Sequence, residues 1–183
     1  MGRRRSTRRE SSRGMTAMEV AVGISLAGSL LAVAVPAFVR SWSSSHLVEP
    51  VSGLGHIQQE ALAFADGRPC AAGPNGEGAF PKPAPLTPQT VPRGKATVDP
   101  PETWDIPTWR TLHFRAAPQG VAHSFSFAFD SSASATESSF VAHAHGDLDG
   151  DGVTSTFEVR GECEAREGHA RAVPGMYVEG EVE

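Results

Sequence analysis

The sequence predicts an α+β protein in which a long amino-terminal helix packs on a small antiparallel β-sheet. The first observation is an uncharged apolar run over residues 20–39, which meets the length of about 20 residues that a membrane-spanning helix needs. The second is a helical spacing of apolar residues over 54–65. The third is a two-residue alternation of apolar and polar side chains after residue 120, typical of strands with one buried face.

The amino-terminal run looks like a membrane anchor behind a basic leader. Residues 1–14 carry six arginines and one acid, Glu10, and residues 15–39 form the expected membrane helix. Positive flanks stay in the cytoplasm, so the chain after Val39 is expected outside it. Glu19 is a lone acid at the head of the apolar run. A carboxylate there needs a partner if it enters the membrane, and none if it stays in the headgroup layer.

The stretch from Arg13 to Val39 resembles the amino terminus of type IV pilins and type II secretion pseudopilins. In that family a prepilin peptidase cuts after a Gly that ends a basic leader and methylates the new amino terminus, and an acid and a helix Pro follow. The matching positions are Gly14 at the cut, Met15 as the methylated terminus, Glu19 as the acid and Pro36 as the proline. The sequence departs from the family in having Met15 for the usual Phe and Ala17-Met18 for the usual Leu-Ile.

The resemblance implies a structural subunit and no enzyme: a pilin, minor pilin or pseudopilin of a type IV pilus or type II secretion filament. It would sit in the bacterial inner membrane as a single-pass protein with a periplasmic head, and then enter a periplasmic or extracellular filament. Its partners would be other subunits, the prepilin peptidase and the membrane. Glu19 would neutralise the charged amino terminus at Met15 of a neighbouring subunit, since both charges need a partner in low dielectric.

An ordinary secretory signal peptide is the alternative, with a small-residue cut such as Ala32-Val33-Ala34. The protein would then be a secreted or periplasmic β-rich binding module, with or without a calcium requirement. Glu19 at the start of the apolar segment and the apolar character that continues to Val39 favour the anchor instead.

Charge argues against a nucleic-acid partner. The whole chain has 16 basic and 21 acidic residues, and without residues 1–14 the balance is 10 to 20, or −10. Phosphate contacts need a basic patch, which such a chain does not offer. No nucleophile motif or paired catalytic set stands out, so an enzyme is not expected.

Cys70 and Cys163 are the only cysteines. Outside the cytoplasm an isolated pair is normally a disulfide, which could contribute about 4 kcal/mol through the unfolded state. Two buried free thiols are the alternative.

The remaining chain divides by composition. Residues 40–66 continue the helix with a break near Pro50, and residues 67–110 form a Pro- and Gly-rich loop with no regular helix or central strand. Residues 111–183 form the antiparallel head, in which the tail from Gly161 runs along the sheet edge. The expected strands are Thr111–Arg115, Val121–Asp130, Phe140–His145 and Val153–Arg160.

The sharpest local motif lies between the last two expected strands. Asp147, Asp149 and Asp151 alternate before Gly152, and the spacing to Glu158 matches an EF-hand calcium loop. The Val153 carbonyl and Ser155 occupy the further ligand positions of that pattern. The flanks look like strands, however, and Asp and Gly also favour plain turns, so a solvated hairpin turn is the alternative.

Overall fold

In the computed structural model, residues 16–180 are described, with the side chains of residues 36–46 excepted. The chain divides into two units, Met1–Trp42 and Ser43–Glu183. Helix α1 runs over Ala17–His46 and contains Pro36. Its segment Ala17–Val35 has a mean hydropathy of 2.0 and no buried residue, so it is long and apolar enough to cross a membrane.

A second helix, α2, spans Val48–Ala65, so the interruption of the helix lies at Leu47. Pro50 occupies the first turn of α2, where a helix leaves backbone N–H groups without partners in any case. The buried residues recur at helical spacing: Pro50, Leu54, Ile57, Ala61 and Ala65. Phe64 is only partly buried, and the guanidinium carbon of Arg68 lies over its ring, 3.7 Å from the ring centroid. Gly67, at φ +70°, turns the chain after the helix.

The second unit contains a five-stranded antiparallel meander in the order β1-β2-β3-β4-β5. The strands are β1 Ala84–Thr87, β2 Phe125–Ala133, β3 Glu137–Gly146, β4 Ser155–Glu164 and β5 Ala170–Glu179. Helix α2 packs across β3, β4 and β5 and covers one face of the sheet. The protein therefore has the α+β class that the sequence predicts.

Aromatic side chains fill the space under the helix. The three phenylalanines of β2, Phe125, Phe127 and Phe129, are all fully buried, which matches the alternation in the sequence. Phe140 of β3 stacks on Phe129 at 5.2 Å between ring centroids. Burial of each such ring stabilises the fold by about 1.5–3 kcal/mol. Val121 and Val153, expected at the strand starts, are about half exposed, because β2 begins at Phe125 and β4 at Ser155.

The expected strand Thr111–Arg115 is wrong. A short helix α3, Pro107–Thr111, occupies its start, since proline is well suited to a first helical position. The helix ends in a turn in which His113, at φ +47°, donates its N–H to the Arg110 carbonyl, and Phe114 donates to the Trp109 carbonyl. Leu112 and Phe114 are buried, but they lie on a turn and not on a strand.

The Pro-rich loop also contains more regular structure than expected. Strand β1 lies within it, and a 3-10 turn covers Pro101–Trp104. β1 contains Pro85, which is tolerated because β1 is an edge strand. The tail after Gly161 completes β4 and forms β5, the opposite edge, where Pro174 is accommodated in the same way.

Two glycines of α2 give a matched test of the packing. A Cβ added to Gly53 would lie 2.8 Å from the buried Phe127 ring, whereas one added to Gly55 meets nothing within 4 Å. We expect Gly55→Ala to raise the free energy of unfolding by about 0.5–1 kcal/mol through helix propensity. Gly53→Ala should instead lower it by about 1 kcal/mol or more, because the core is overfilled. Chemical denaturation of both variants checks this, and equal stabilisation by both would contradict the close approach of α2 to β2.

Candidate functional site

Cys70 and Cys163 form the predicted disulfide, with Cα atoms 5.1 Å apart and a sequence separation of 93. Both residues are buried. The Ser138 hydroxyl donates to the Cys70 carbonyl at 2.5 Å and accepts from the Ala79 N–H at 3.1 Å. The bond thus ties the start of the Pro-rich loop to β4, and a serine of the intervening strand β3 fixes the loop backbone beside it.

At the start of α1, Glu19 makes a contact that the sequence analysis did not anticipate. The Thr16 N–H donates to Glu19 Oε2 at 2.7 Å, and the Thr16 hydroxyl donates to the same oxygen at 3.0 Å. In return the Glu19 N–H donates to Thr16 Oγ1 at 3.2 Å. This reciprocal pair is a capping box, and the Thr-x-x-Glu spacing before an apolar run was the signal for it in the sequence.

The capping box occupies only part of the carboxylate. Both donors reach Oε2, and Oε1 of Glu19 accepts no hydrogen bond from the residues that the structure describes. Gly14 and Met15, the expected cleavage junction, lie outside the described residues. Pro36 lies within α1, with its side chain among those not described. Glu19 can therefore cap its own helix and still present an oxygen to a second group.

The loop between β3 and β4 brings the three predicted aspartates together. Asp147, Asp149 and Asp151 each offer a carboxylate oxygen within 4.8 Å of the other two. Asp147 has a fully buried side chain that accepts from the Gly150 and Gly152 N–H groups at 2.7 and 3.1 Å. Its Oδ2 also lies 3.8 Å from Arg93 Nε, so a cation of the chain already offsets this buried charge.

The two exposed aspartates stabilise the turn in the same manner. Asp149 accepts from the Asp151 N–H at 3.1 Å, and Asp151 accepts from the Val153 N–H at 2.7 Å. Side-chain acceptors of this kind mimic backbone turns, which explains why Asp alternates here. The loop therefore has a structural explanation that needs no ion.

The remaining positions of the EF-hand spacing do not join the cluster. Ser155 is buried and donates to the Gly146 carbonyl at 3.0 Å. Glu158 lies on the outer face of the sheet and pairs with His143 at 3.2 Å and Arg160 at 3.0 Å. The chain after the loop is the extended strand β4 and not a helix, so position 158 is carried along the strand and does not turn back to the loop.

The outer face of the sheet holds a second polar cluster. His143 lies between Asp130 and Glu158, at 3.3 and 3.2 Å, and its ring stacks on that of His145. Burial, reinforced by the charge of His143 and opposed by Glu158, lowers the pKa of His145. His143 contacts these two carboxylates, and Nδ1 of His145 lies 3.0 Å from the Thr156 hydroxyl. Among the described residues the two histidines are not part of a zinc-like ligand set.

Asp147→Asn tests whether this buried carboxylate organises the loop. An amide in its place turns an N–H₂ group toward one of the two backbone donors, so we expect the free energy of unfolding to fall by about 1–3 kcal/mol. Asp149→Asn is the matched control on an exposed residue and should change little. Denaturation with and without calcium chloride measures both effects. A calcium-dependent gain in stability of the parent chain that Asp149→Asn abolishes would establish a cation site, and its absence would leave the aspartates as turn formers.

The apolar helix, the capping box at its head and the disulfide-linked meander are the features from which a function must be inferred. No protein-family model, no curated protein and no solved structure matches this chain.

Proposed function

We propose that the chain is a structural subunit, a pilin, minor pilin or pseudopilin, of a type IV pilus or a type II secretion filament. The observation that carries the proposal is the organisation of residues 14–39. A Gly ends a leader with six arginines, and a Glu heads a helix with no buried residue over Ala17–Val35. Such a surface is stable only in lipid or against other apolar helices.

The side chains of the helix are suited to that environment. The hydroxyl of Ser25 donates to the Ala21 carbonyl at 2.9 Å, and that of Ser29 donates to the Ser25 carbonyl at 2.8 Å. These polar groups are therefore satisfied within the helix, as a hydrocarbon environment requires. A Cβ added at Gly23 or Gly28 meets nothing within 4 Å, and such small residues allow neighbouring helices to approach closely.

Glu19 is the group that would select the register between subunits. We assign to its Oε1 the charged amino group at Met15 of a neighbour, while Oε2 stays in the capping box with Thr16. A charge pair in low dielectric is strongly destabilised when one partner is removed. One axial stagger would satisfy the pair at every subunit, and repetition of a heterologous contact builds a helical filament.

The same proposal gives a location and partners. The basic leader would stay in the cytoplasm, α1 would cross the bacterial inner membrane, and the head would be periplasmic before assembly. An oxidising compartment fits the Cys70–Cys163 disulfide. The partners would be other subunits, the membrane and the prepilin peptidase that cuts after Gly14. The role is structural, without enzymatic activity, and the charge of −10 beyond the leader opposes nucleic-acid binding.

A secreted or periplasmic binding module is the second candidate function. A signal sequence near the amino terminus satisfies the same length and hydropathy test as α1, and the aspartate loop supplies a feature that a calcium-dependent module would use. The two functions differ in where the mature chain begins.

Mass spectrometry of the mature protein separates them. We expect an amino terminus at Met15, with the mass of one added methyl group, in the membrane fraction. The apolar helix would then remain attached to the head. A soluble mature chain that begins at or beyond Val35 would overturn the subunit role and support the binding module.

Glu19→Gln tests the charge of Glu19 apart from its capping role. Glutamine is also accepted at this position of a capping box, so the helix start should be retained. We expect the variant to insert into the membrane normally but to enter filaments at least about tenfold less than the parent chain, because a buried ammonium would lack its counter-charge. Cross-linking of sheared filaments and quantitative blotting measure the incorporation.

Thr16→Ala is the matched control, since it removes the capping hydroxyl and keeps the carboxylate. It should insert and assemble close to the level of the parent chain. Normal incorporation of Glu19→Gln, or an equal loss in both variants, would show that capping and not charge is the role of Glu19.

A further inference from the structure

Two neighbouring grooves on the head share the segment His113–Arg115. The first, of ≈ 520 Å³, is lined by Trp104, Trp109 and Phe114. The second, of ≈ 390 Å³, lies between the same segment and the first half of α2, with His56 and Glu49 in its lining. Arg115 borders both grooves.

Arg115 differs from the other arginine side chains that the structure describes. Five of them pair with carboxylates and one stacks on an aromatic ring: Arg93, Arg110, Arg160, Arg166, Arg171 and Arg68. Arg115 is partly buried, and its Nε is fully buried without a hydrogen-bond partner among the described residues. A buried donor without an acceptor costs free energy, and the cost is larger for a charged group.

Three carboxylates near this arginine are engaged elsewhere. Glu49 accepts from the Ser124 and Phe125 N–H groups at 3.0–3.1 Å, and Asp105 pairs with Arg110 at 3.2 Å. Glu60 lies 2.8 Å from His113 Nδ1 and thereby holds the residue whose φ is +47°. Glu102, exposed in the first groove, adds a negative charge that a ligand must tolerate.

The walls of the first groove favour an apolar stem. Phe114 makes ring contacts with Trp109 at 5.5 Å and with Trp104 at 5.7 Å between centroids. The two indole N–H groups are already bonded, to Asp99 and to Thr87, so these rings present mainly their apolar surface. Trp109 is fully buried behind Trp104 and Phe114, which keep 5% and 8% of their surface exposed. A flat or apolar group can pack on the exposed edges of these two rings while a charged end faces the guanidinium.

We infer that Arg115 is the centre of a binding site for a carboxylate carried on an apolar stem. A guanidinium matches the two oxygens of a carboxylate with parallel hydrogen bonds, which makes this the anion that it recognises best in such a groove. The carboxylate could come from a small molecule or from an acidic side chain of another protein chain. The inference uses only the head and does not depend on the subunit role proposed above.

Titration of the full chain in detergent micelles tests the inference. Sodium benzoate should shift the Arg115 Nε–Hε resonance saturably, and the neutral isostere benzamide should not. The loss of this resonance in Arg115→Gln assigns it. The indole resonances of Trp104 and Trp109 then report the affinity of each variant. We expect Arg115→Gln to weaken benzoate binding about tenfold or more, and Arg115→Lys to restore only part of it.

Arg166→Gln, at an exposed arginine paired with Glu164, is the control for the change in net charge and should bind benzoate as the parent chain does. N-acetylglutamate amide, titrated in the same way, distinguishes the sources, because tighter binding of this probe indicates a protein side chain and tighter binding of benzoate a small molecule. Binding of neither probe, an equal response to benzamide, or an equal loss in Arg166→Gln would overturn the inference.

Discussion

The head depends on one packing constraint: large rings on the buried face of the sheet require glycine opposite them. Phe125 and Gly146 are paired across β2 and β3, and Phe140 and Gly161 are paired across β3 and β4. A Cβ at Gly146 would lie 2.5 Å from the Phe125 ring, and one at Gly161 would collide with Phe140. Gly53 of α2 gives Phe127 the same clearance. The rings thus set both the strand register and the distance at which the helix covers the sheet.

The Pro-rich segment becomes part of this core and does not merely surround it. Trp109 is fully buried and donates from Nε1 to Thr87 Oγ1 of β1 at 2.9 Å, which links α3 to the edge of the sheet. Trp104 donates to Asp99 at 2.8 Å, and Asp99 also meets the buried His123 at 2.7 Å. Together with the Cys70–Cys163 disulfide, these contacts fix a segment whose own backbone forms few regular hydrogen bonds.

The sequence predicted those features that a strong local period determines. The alternation around Phe125, Phe127 and Phe129 located β2, and the spacing of Leu54, Ile57 and Ala61 located the covering helix. β1 and β5 were not predicted as strands, because edge strands have no fully buried face and each contains a proline. The Thr111–Arg115 strand was predicted wrongly, because two buried residues at i and i+2 fit a turn as well as a strand.

Candidate sites were harder to predict than the fold, because a site depends on the distances between residues in the folded structure. The EF-hand spacing brings Glu158 to the aspartates only if the chain after the loop is helical. That chain is the extended strand β4, which carries Glu158 away from the loop to His143. Arg115 belongs to no sequence motif, because only the three-dimensional structure shows that its Nε has no partner and that Glu49 and Asp105 nearby are engaged with other groups. The three-dimensional structure therefore excluded Glu158 from one candidate site and added Arg115 as another.

At Glu19 both the sequence pattern and the three-dimensional contacts are informative. Residues 16–35 contain four polar side chains, Thr16, Glu19, Ser25 and Ser29, and all of them hydrogen-bond within their own helix. Oε1 of Glu19 is the side-chain oxygen of this charged group that the described residues leave without a donor. A carboxylate that must enter hydrocarbon retains a strong demand for a cation after capping, because two neutral donors do not cancel a full charge. The capping box thus fixes one oxygen of the carboxylate at the head of the helix. Under the proposed subunit role, the remaining charge would favour binding of the charged amino terminus of a second chain there.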